Sequence, residues 1–243
     1  MKIAGMVLAA GAGRRMGSPK ALVHDPDGVT WVVRAARLLD DAGCAPVVVV
    51  VGAAAEQVRA ELAGMPVEVV EATNWPEGMG ASLRTGLTAL GAAAGSDDPA
   101  GSDDPAGSDD PAGSDDAAGS DDAAGSDDAV GADAAVGYDA DAGPEGVLVV
   151  PVDVPGLTVS VLQRITAAGS RRALVRAVYG GRPGHPVLLG REHWDGVIAS
   201  ARGDQGARAY LKEHAVVEIE CSDLAEGADV DTVGQLPEGH RPG

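Results

Sequence analysis

Two stretches of this chain, "PVVVVVG" and "GVLVVPVDVPGL", run through successive apolar residues with no polar alternation. A strand with one wet face alternates apolar and polar side chains. A strand that is apolar at every position must be covered on both faces, which points to a parallel sheet between two layers of helices. The core must be built from Val, Leu, Ile and Ala, because the 243 residues include no Phe and aromatics make up 2%. With 45% apolar residues there is enough to fill it.

The remaining segments fit the same plan. "KIAGMVL" reads as the first strand and "PVEVVE" as a third. "RALVRAVY", "HPVLLG" and "AVVEIE" follow the long buried run. Helices are predicted over "TWVVRAARLLDDAG", with Gly43 as its stop, and over "AAEQVRAELAG", "ASLRTGLTAL" and "TVSVLQRITAAG". Two more are predicted near 191–199 and 204–214. Alternation of this kind predicts one α/β domain over 1–243, three-layered and Rossmann-like, with a mostly parallel sheet and right-handed crossovers.

One segment stands apart. Residues 94–129 repeat "AGSDDP" three times and then "AGSDDA" three times. The repeat has no large apolar residue to bury, so 94–142 is predicted to be a disordered acidic insertion rather than a calcium-binding solenoid. It also explains the formal charge of −19. Residues 95–142 hold 15 Asp and no Lys, Arg or Glu; elsewhere 22 acidic residues face 18 basic ones, a net of −4. No basic surface for nucleic acid is expected. No run approaches the ~18 apolar residues of a membrane span. Cys44 and Cys221 match no metal or redox spacing. The expected location is the cytoplasm, with no membrane partner.

The chemistry is concentrated after the first strand, in "VLAAGAGRRMGSPK". A P-loop needs Gly-Lys followed by Ser or Thr at the start of a helix. Here Lys20 follows Pro19 and precedes Ala21. A dinucleotide loop needs G-x-G-x-x-G and an acid at the tip of the second strand. The spacing here is one residue too long, and "VVVVVGAAAE" offers no such acid at its tip.

The stretch does resemble the L-A-A-G-x-S-x-R-M-G-x-x-K signature of the molybdenum cofactor cytidylyltransferase and MobA-like NTP transferase family. "NWPEGMGASLRTGL", "PVDVPGL", "GRPGHPVLL", "GDQGARAYL" and "DVDT" are similar, in order, to the family's further segments. The resemblance implies a nucleotide-diphospho-sugar transferase type of fold and transfer of a nucleotidyl group from an NTP with Mg²⁺. It implies nucleotide contacts at Leu8, Ala9, Ala10, Gly11, Ala12, Gly13, Asn74, Gly80 and Ser82. It assigns charge stabilisation to Arg15 and Lys20, the metal to Asp153 and Asp231, and acceptor contacts to His185 and Asp204. The implied acceptor is a molybdopterin-type cofactor, and Ala10, in L-A-A-G rather than L-A-G-G, points to CTP over GTP. The alternative is the same chemistry on another phosphorylated acceptor: guanylyl transfer, or a sugar phosphate, polyol phosphate or phospholactate. Position 13 departs from the pattern, being Gly where Ser is common, and "DTVGQL" lacks the usual Pro-Glu after Thr232.

The residues themselves fit this chemistry. Glycines let backbone N–H groups approach phosphates, and cations stabilise the departing pyrophosphate. The loop and Asp153 both leave the C-terminal ends of buried strands, where open α/β sheets bind ligands. Several positions carry two readings. Asp231 suits a metal site or the cap of a last helix, with Asp229 a weaker metal candidate. Asp204 suits the acceptor or the cap of "QGARAYLKEH". Ser82 suits a base contact or helix packing, and His185 an acceptor contact or a turn in "PGHP". Trp31 and Trp194 read as packing residues; Trp75 reads as a loop residue beside the cleft.

Overall fold

The computed structural model describes residues 1–93 and 143–243, so the acidic insertion expected at 94–142 lies outside the described residues. The strands are β1 (Ile3–Ala9), β2 (Val47–Val51), β3 (Glu68–Glu71), β4 (Gly146–Pro151), β5 (Leu174–Tyr179), β6 (Arg182–Gly190) and β7 (Val217–Glu220). The helices are α1 (Trp31–Asp41), α2 (Ala55–Glu61), α3 (Met79–Ala93), α4 (Val159–Thr166), α5 (Trp194–Ser200) and α6 (Arg208–Glu213). Together they form a single α/β domain around one seven-stranded sheet ordered β3-β2-β1-β4-β6-β5-β7.

The apolar runs are covered on both faces, as their lack of alternation requires. Val7, Val49, Val51, Leu148 and Val150 pack with Leu39 of α1 and Leu162 and Ile165 of α4. The residues between them, Met6, Leu8, Val48, Val50, Val147 and Val149, pack with Leu83, Leu87 and Leu90 of α3 and Trp194 of α5. The period of two thus divides one continuous apolar sequence between two cores. Trp31 and Trp194 are buried packing residues, as expected. Gly43 ends α1 with φ +84, a left-handed conformation that suits glycine.

The sheet departs from all-parallel alternation at one place. β6 runs antiparallel to both β4 and β5. The cause is a two-residue turn at Gly180 and Gly181, with φ of +58° and +75°, which closes a hairpin between Tyr179 and Arg182. The signal was present as "YGGR", since paired glycines supply the positive φ a tight hairpin demands. Reversal puts the start of β6, with Pro183, Gly184 and His185, at the rim where the parallel strands end.

At that rim the β4–β6 pairing stops at Val149 and Val187. Pro151 and Pro186 lie just beyond, and neither has an N–H to extend the ladder. The strands part there, and a crevice opens between them.

Close backbone approach is needed at the tip of β2. A Cβ on Gly52 would stand 2.7 Å from the Ala10 carbonyl oxygen and 2.8 Å from both the Ala10 and Trp75 Cβ atoms. Gly52→Ala is expected to destabilise the fold by about 1–3 kcal/mol through overpacking. Gly11→Ala, where nothing lies within 4 Å, should stay within about 0.5 kcal/mol. Denaturant unfolding of the two variants checks the contrast.

Candidate active site

The loop after β1 is wound tightly. Met16 and Gly17 both donate backbone hydrogen bonds to the Gly13 carbonyl, at 2.8 and 2.9 Å. Gly13 has φ +62, and a Cβ there would meet the Ser18 carbonyl oxygen at 1.8 Å. Glycine at position 13 is therefore what this loop geometry requires. Pro19 stays extended and leads into a 3₁₀ turn at Lys20–Leu22 that buries Ala21 and directs Lys20 into the cleft.

Lys20 is the junction of the site. Its Nζ donates to Asp153 Oδ2 at 2.8 Å and to Asp231 Oδ1 at 2.7 Å. Arg15, largely exposed, lies 3.7 Å from the other oxygen of Asp231. Burial pulls the Lys20 pKa down, but the hydrogen bonds and charges of Asp153 and Asp231 outweigh it and the net shift is upward. The Lys20 hydrogen bond and charge hold Asp231 below the usual carboxylate range, against burial and with help from Arg15. Among the described residues no group of three or more His, Cys, Asp or Glu side chains is arranged to hold a metal ion. The two carboxylates already converge on one cationic centre. That donor set fits a hard divalent ion completed by substrate phosphates and water.

Two cavities meet at this point. One, of about 560 Å³, is lined by Ala10, Gly11, Ala12, Gly13, Arg15 and Lys20 on one side and by Trp75 and Ser82 on the other. The second, of about 300 Å³, occupies the crevice between β4 and β6 and is lined by His185, Arg208 and Asp229 over an apolar floor that includes Leu83, Val149 and Val187. Leu8, Met79, Pro151, Asp153 and Asp204 line both.

Most of the expected site residues therefore come together. Three lie apart from the cavity walls. Ala9 is buried at the end of β1. Asn74 precedes the Trp75–Glu77 turn, with its carbonyl accepting from Glu77. Gly80 lets α3 pack against the chain at Arg202, whose backbone nitrogen would lie 2.8 Å from a Cβ.

The open readings also resolve into positions. Thr232, rather than Asp231, caps the last turn, Val233–Gln235. Asp204 sits inside a 3₁₀ turn, while α6 begins later, at Arg208. Ser82, on α3, is 4% exposed and lies at the wall of the larger cavity. His185 is held toward its neutral form: burial lowers its pKa, Arg208 adds to that, and Asp153 and Asp229 oppose it. Arg208 and Met79 also line the crevice. Both lie inside motif-like segments, but nothing in their spacing marks them as cavity-lining.

A domain model described as the MobA-like NTP transferase domain matches residues 5–218. The nicotine blue oxidoreductase of Paenarthrobacter nicotinovorans is 30% identical over 244 residues, covering 96% of this chain and 94% of that protein. Among solved structures, Rv0371c from Mycobacterium tuberculosis H37Rv superposes with a TM-score of 0.64 at 22% identity, covering 97% of this chain and 95% of that one. A nucleotidyl transferase from Methanothermobacter thermautotroptrophicus gives a TM-score of 0.64 at 19% identity, covering 96% and 94%. The chain belongs to the MobA-like NTP transferase family. No helix among the described residues is long and apolar enough to cross a membrane.

The ion cluster has a defined pH window. Asp231, with its depressed pKa, contributes stability above the normal carboxylate value, and this is lost as pH falls through the depressed value. Lys20, with its raised pKa, contributes below the normal lysine value and loses its contribution as pH rises through the raised one. Lys20→Met should move the Asp231 titration upward, which ¹³C-carboxyl NMR can follow; an unmoved titration would contradict the cluster.

Proposed function

We propose that this protein is an Mg²⁺-dependent cytidylyltransferase that transfers CMP from CTP to the phosphate of a molybdopterin-type cofactor. The observation that carries this reading is the meeting of two cavities at Asp153, with Lys20 and Asp231 beside it. A transfer between two substrates needs two adjoining pockets and one charged centre between them.

In this reading the larger cavity takes CTP. Backbone N–H groups of Gly11, Ala12 and Gly13 face its triphosphate, and Arg15 and Lys20 supply positive charge to the reacting phosphates. Asp153 and Asp231 would hold the Mg²⁺, which when bound stabilises charge on the α-phosphate and on the departing pyrophosphate. The crevice beside His185 takes the acceptor. One oxygen of its phosphate monoester forms the new bond to the α-phosphorus as the bond to the β-phosphate bridge breaks. The monoester is already anionic, so no side-chain nucleophile is needed. His185, in its neutral form, can hydrogen-bond the acceptor without adding charge, while Arg208 supplies a cation at the same wall.

The base preference rests on Ala10. Its Cβ packs toward Gly52 beside Trp75, and the residue lines the larger cavity. In this reading a side chain at position 10, wedged at the cavity wall beside Trp75, narrows the space for a base and favours cytosine over guanine. Rv0371c has been crystallised in complex with manganese, and a divalent ion at Asp153 and Asp231 is in keeping with that.

The name of the 30% identical relative supports a second reading, an oxidation–reduction in the same cleft. Against it stands the tip of β2, where Gly52 is enclosed by Ala10 and Trp75 in place of an acid for a dinucleotide ribose.

Pyrophosphate release from CTP, Mg²⁺ and molybdopterin, run beside oxidation of reduced nicotinamide dinucleotide, separates the two. Asp153→Ala should reduce pyrophosphate release by about 10²-fold or more, the scale of losing a principal electrostatic group. Ala10→Gly should shift the CTP-to-GTP ratio of kcat/KM toward GTP by about tenfold, the scale of a small apolar group in a pocket. An unchanged ratio would overturn the assignment of the base.

A further inference from the structure

Asp231 reaches the site from irregular backbone. After β7 the described chain contains only one short 3₁₀ turn, Val233–Gln235. An Asp just before such a turn ordinarily spends its carboxylate on the first free N–H groups of the turn or on its own backbone. Here the carboxylate instead meets Lys20 at 2.7 Å.

The reason lies four residues on. The side-chain carbonyl oxygen of Gln235 accepts from the Asp231 backbone N–H at 3.0 Å and the Thr232 N–H at 2.9 Å. It also accepts from the Thr232 hydroxyl at 3.0 Å. Those donors are satisfied without the Asp231 carboxylate, which is left to project into the cleft. We infer that Gln235 is a positioning residue for the reaction centre, holding the backbone at Asp231 and freeing its carboxylate for the triphosphate side. This rests on the proposed role of Asp231.

The surrounding contacts make the arrangement rigid enough to matter. On one side, Val230 is buried and its N–H donates to the Asp153 carbonyl at 2.9 Å, tying the two acidic segments together. On the other, His24 and Arg241 exchange both backbone hydrogen bonds, at 2.9 and 3.0 Å. Trp31 Nε1 donates to His240 Nδ1 at 2.9 Å. The stretch from Val230 to Arg241 is thus fastened at both ends to segments that carry site residues: the turn after β4 and the segment following Lys20. Gln235 sets the first bend after Val230, and a second turn follows where the His240 N–H donates to the Pro237 carbonyl at 3.1 Å.

A neutral carboxamide suits the position. It offers one oxygen to the two N–H groups and the Thr232 hydroxyl together. Gln235→Met removes the acceptor at similar size; Gln235→Glu keeps an acceptor of the same reach.

The test measures Mn²⁺ binding by electron paramagnetic resonance with CTP present, and KM for CTP, on the full chain. Gln235→Met should weaken both by about five- to tenfold, the scale of a lost helix cap, with kcat changed less than KM. Gln235→Glu should recover most of the binding. A Gln235→Met protein with unchanged Mn²⁺ and CTP binding overturns the inference, and so does a folded Gln235→Glu protein that recovers none. Asp231→Asn serves as the reference: if it leaves both readouts unmoved, the role assigned to Asp231 fails. If Asp231→Asn weakens binding and Gln235→Met does not, the role of Asp231 stands and the positioning role of Gln235 falls.

Discussion

A single ammonium group shared by two carboxylates holds the centre of this molecule. Lys20 comes from the loop after β1, Asp153 from the turn after β4 and Asp231 from the segment after β7. In water such contacts contribute little, because solvent screens them and long side chains lose freedom. Here Lys20 and Asp153 are largely withdrawn from solvent, with side-chain exposures of 16% and 21%. Leaving any one of the three charges alone there carries a desolvation cost. The cluster therefore ties three remote segments together at one point and fixes which side of each faces the cleft.

That centre can exist only because of the sheet beneath it. Parallel strands deliver their C-terminal ends to a common rim, so loops far apart in sequence converge there. The one reversed strand adds what a wholly parallel sheet would lack. β6 brings Pro183, Gly184 and His185 to the rim by its beginning, and its ladder with β4 ends where prolines withhold the next N–H. The gap that results becomes the second cavity. The two adjoining cavities thus arise from two different properties of the same sheet.

Much of this was legible beforehand. Unbroken valine runs fixed a doubly covered sheet, since no other common architecture hides both faces of a strand. The meeting of the glycine loop, Lys20 and Asp153 was legible because the loop and Asp153 each follow the C-terminal end of a buried strand. The hairpin was also written in the chain, as paired glycines, but strand–helix alternation is the stronger pattern and masked it. Asp231 and Asp204 each fitted two roles equally, because an Asp before a turn looks the same whether it caps the turn or reaches across the molecule. The carboxamide of Gln235 decides the first case, and a hydrogen bond of that kind leaves no trace in spacing.

The sequence alone determined the layers, the strand positions and the family, because periodicity, glycine placement and motif order are local properties of the chain. Tertiary structure alone decided which carboxylates share Lys20, why position 13 must be glycine, and where the two cavities meet. Those facts depend on through-space distances between segments up to 211 residues apart. Only the register of the sheet and the path of the returning chain set such distances.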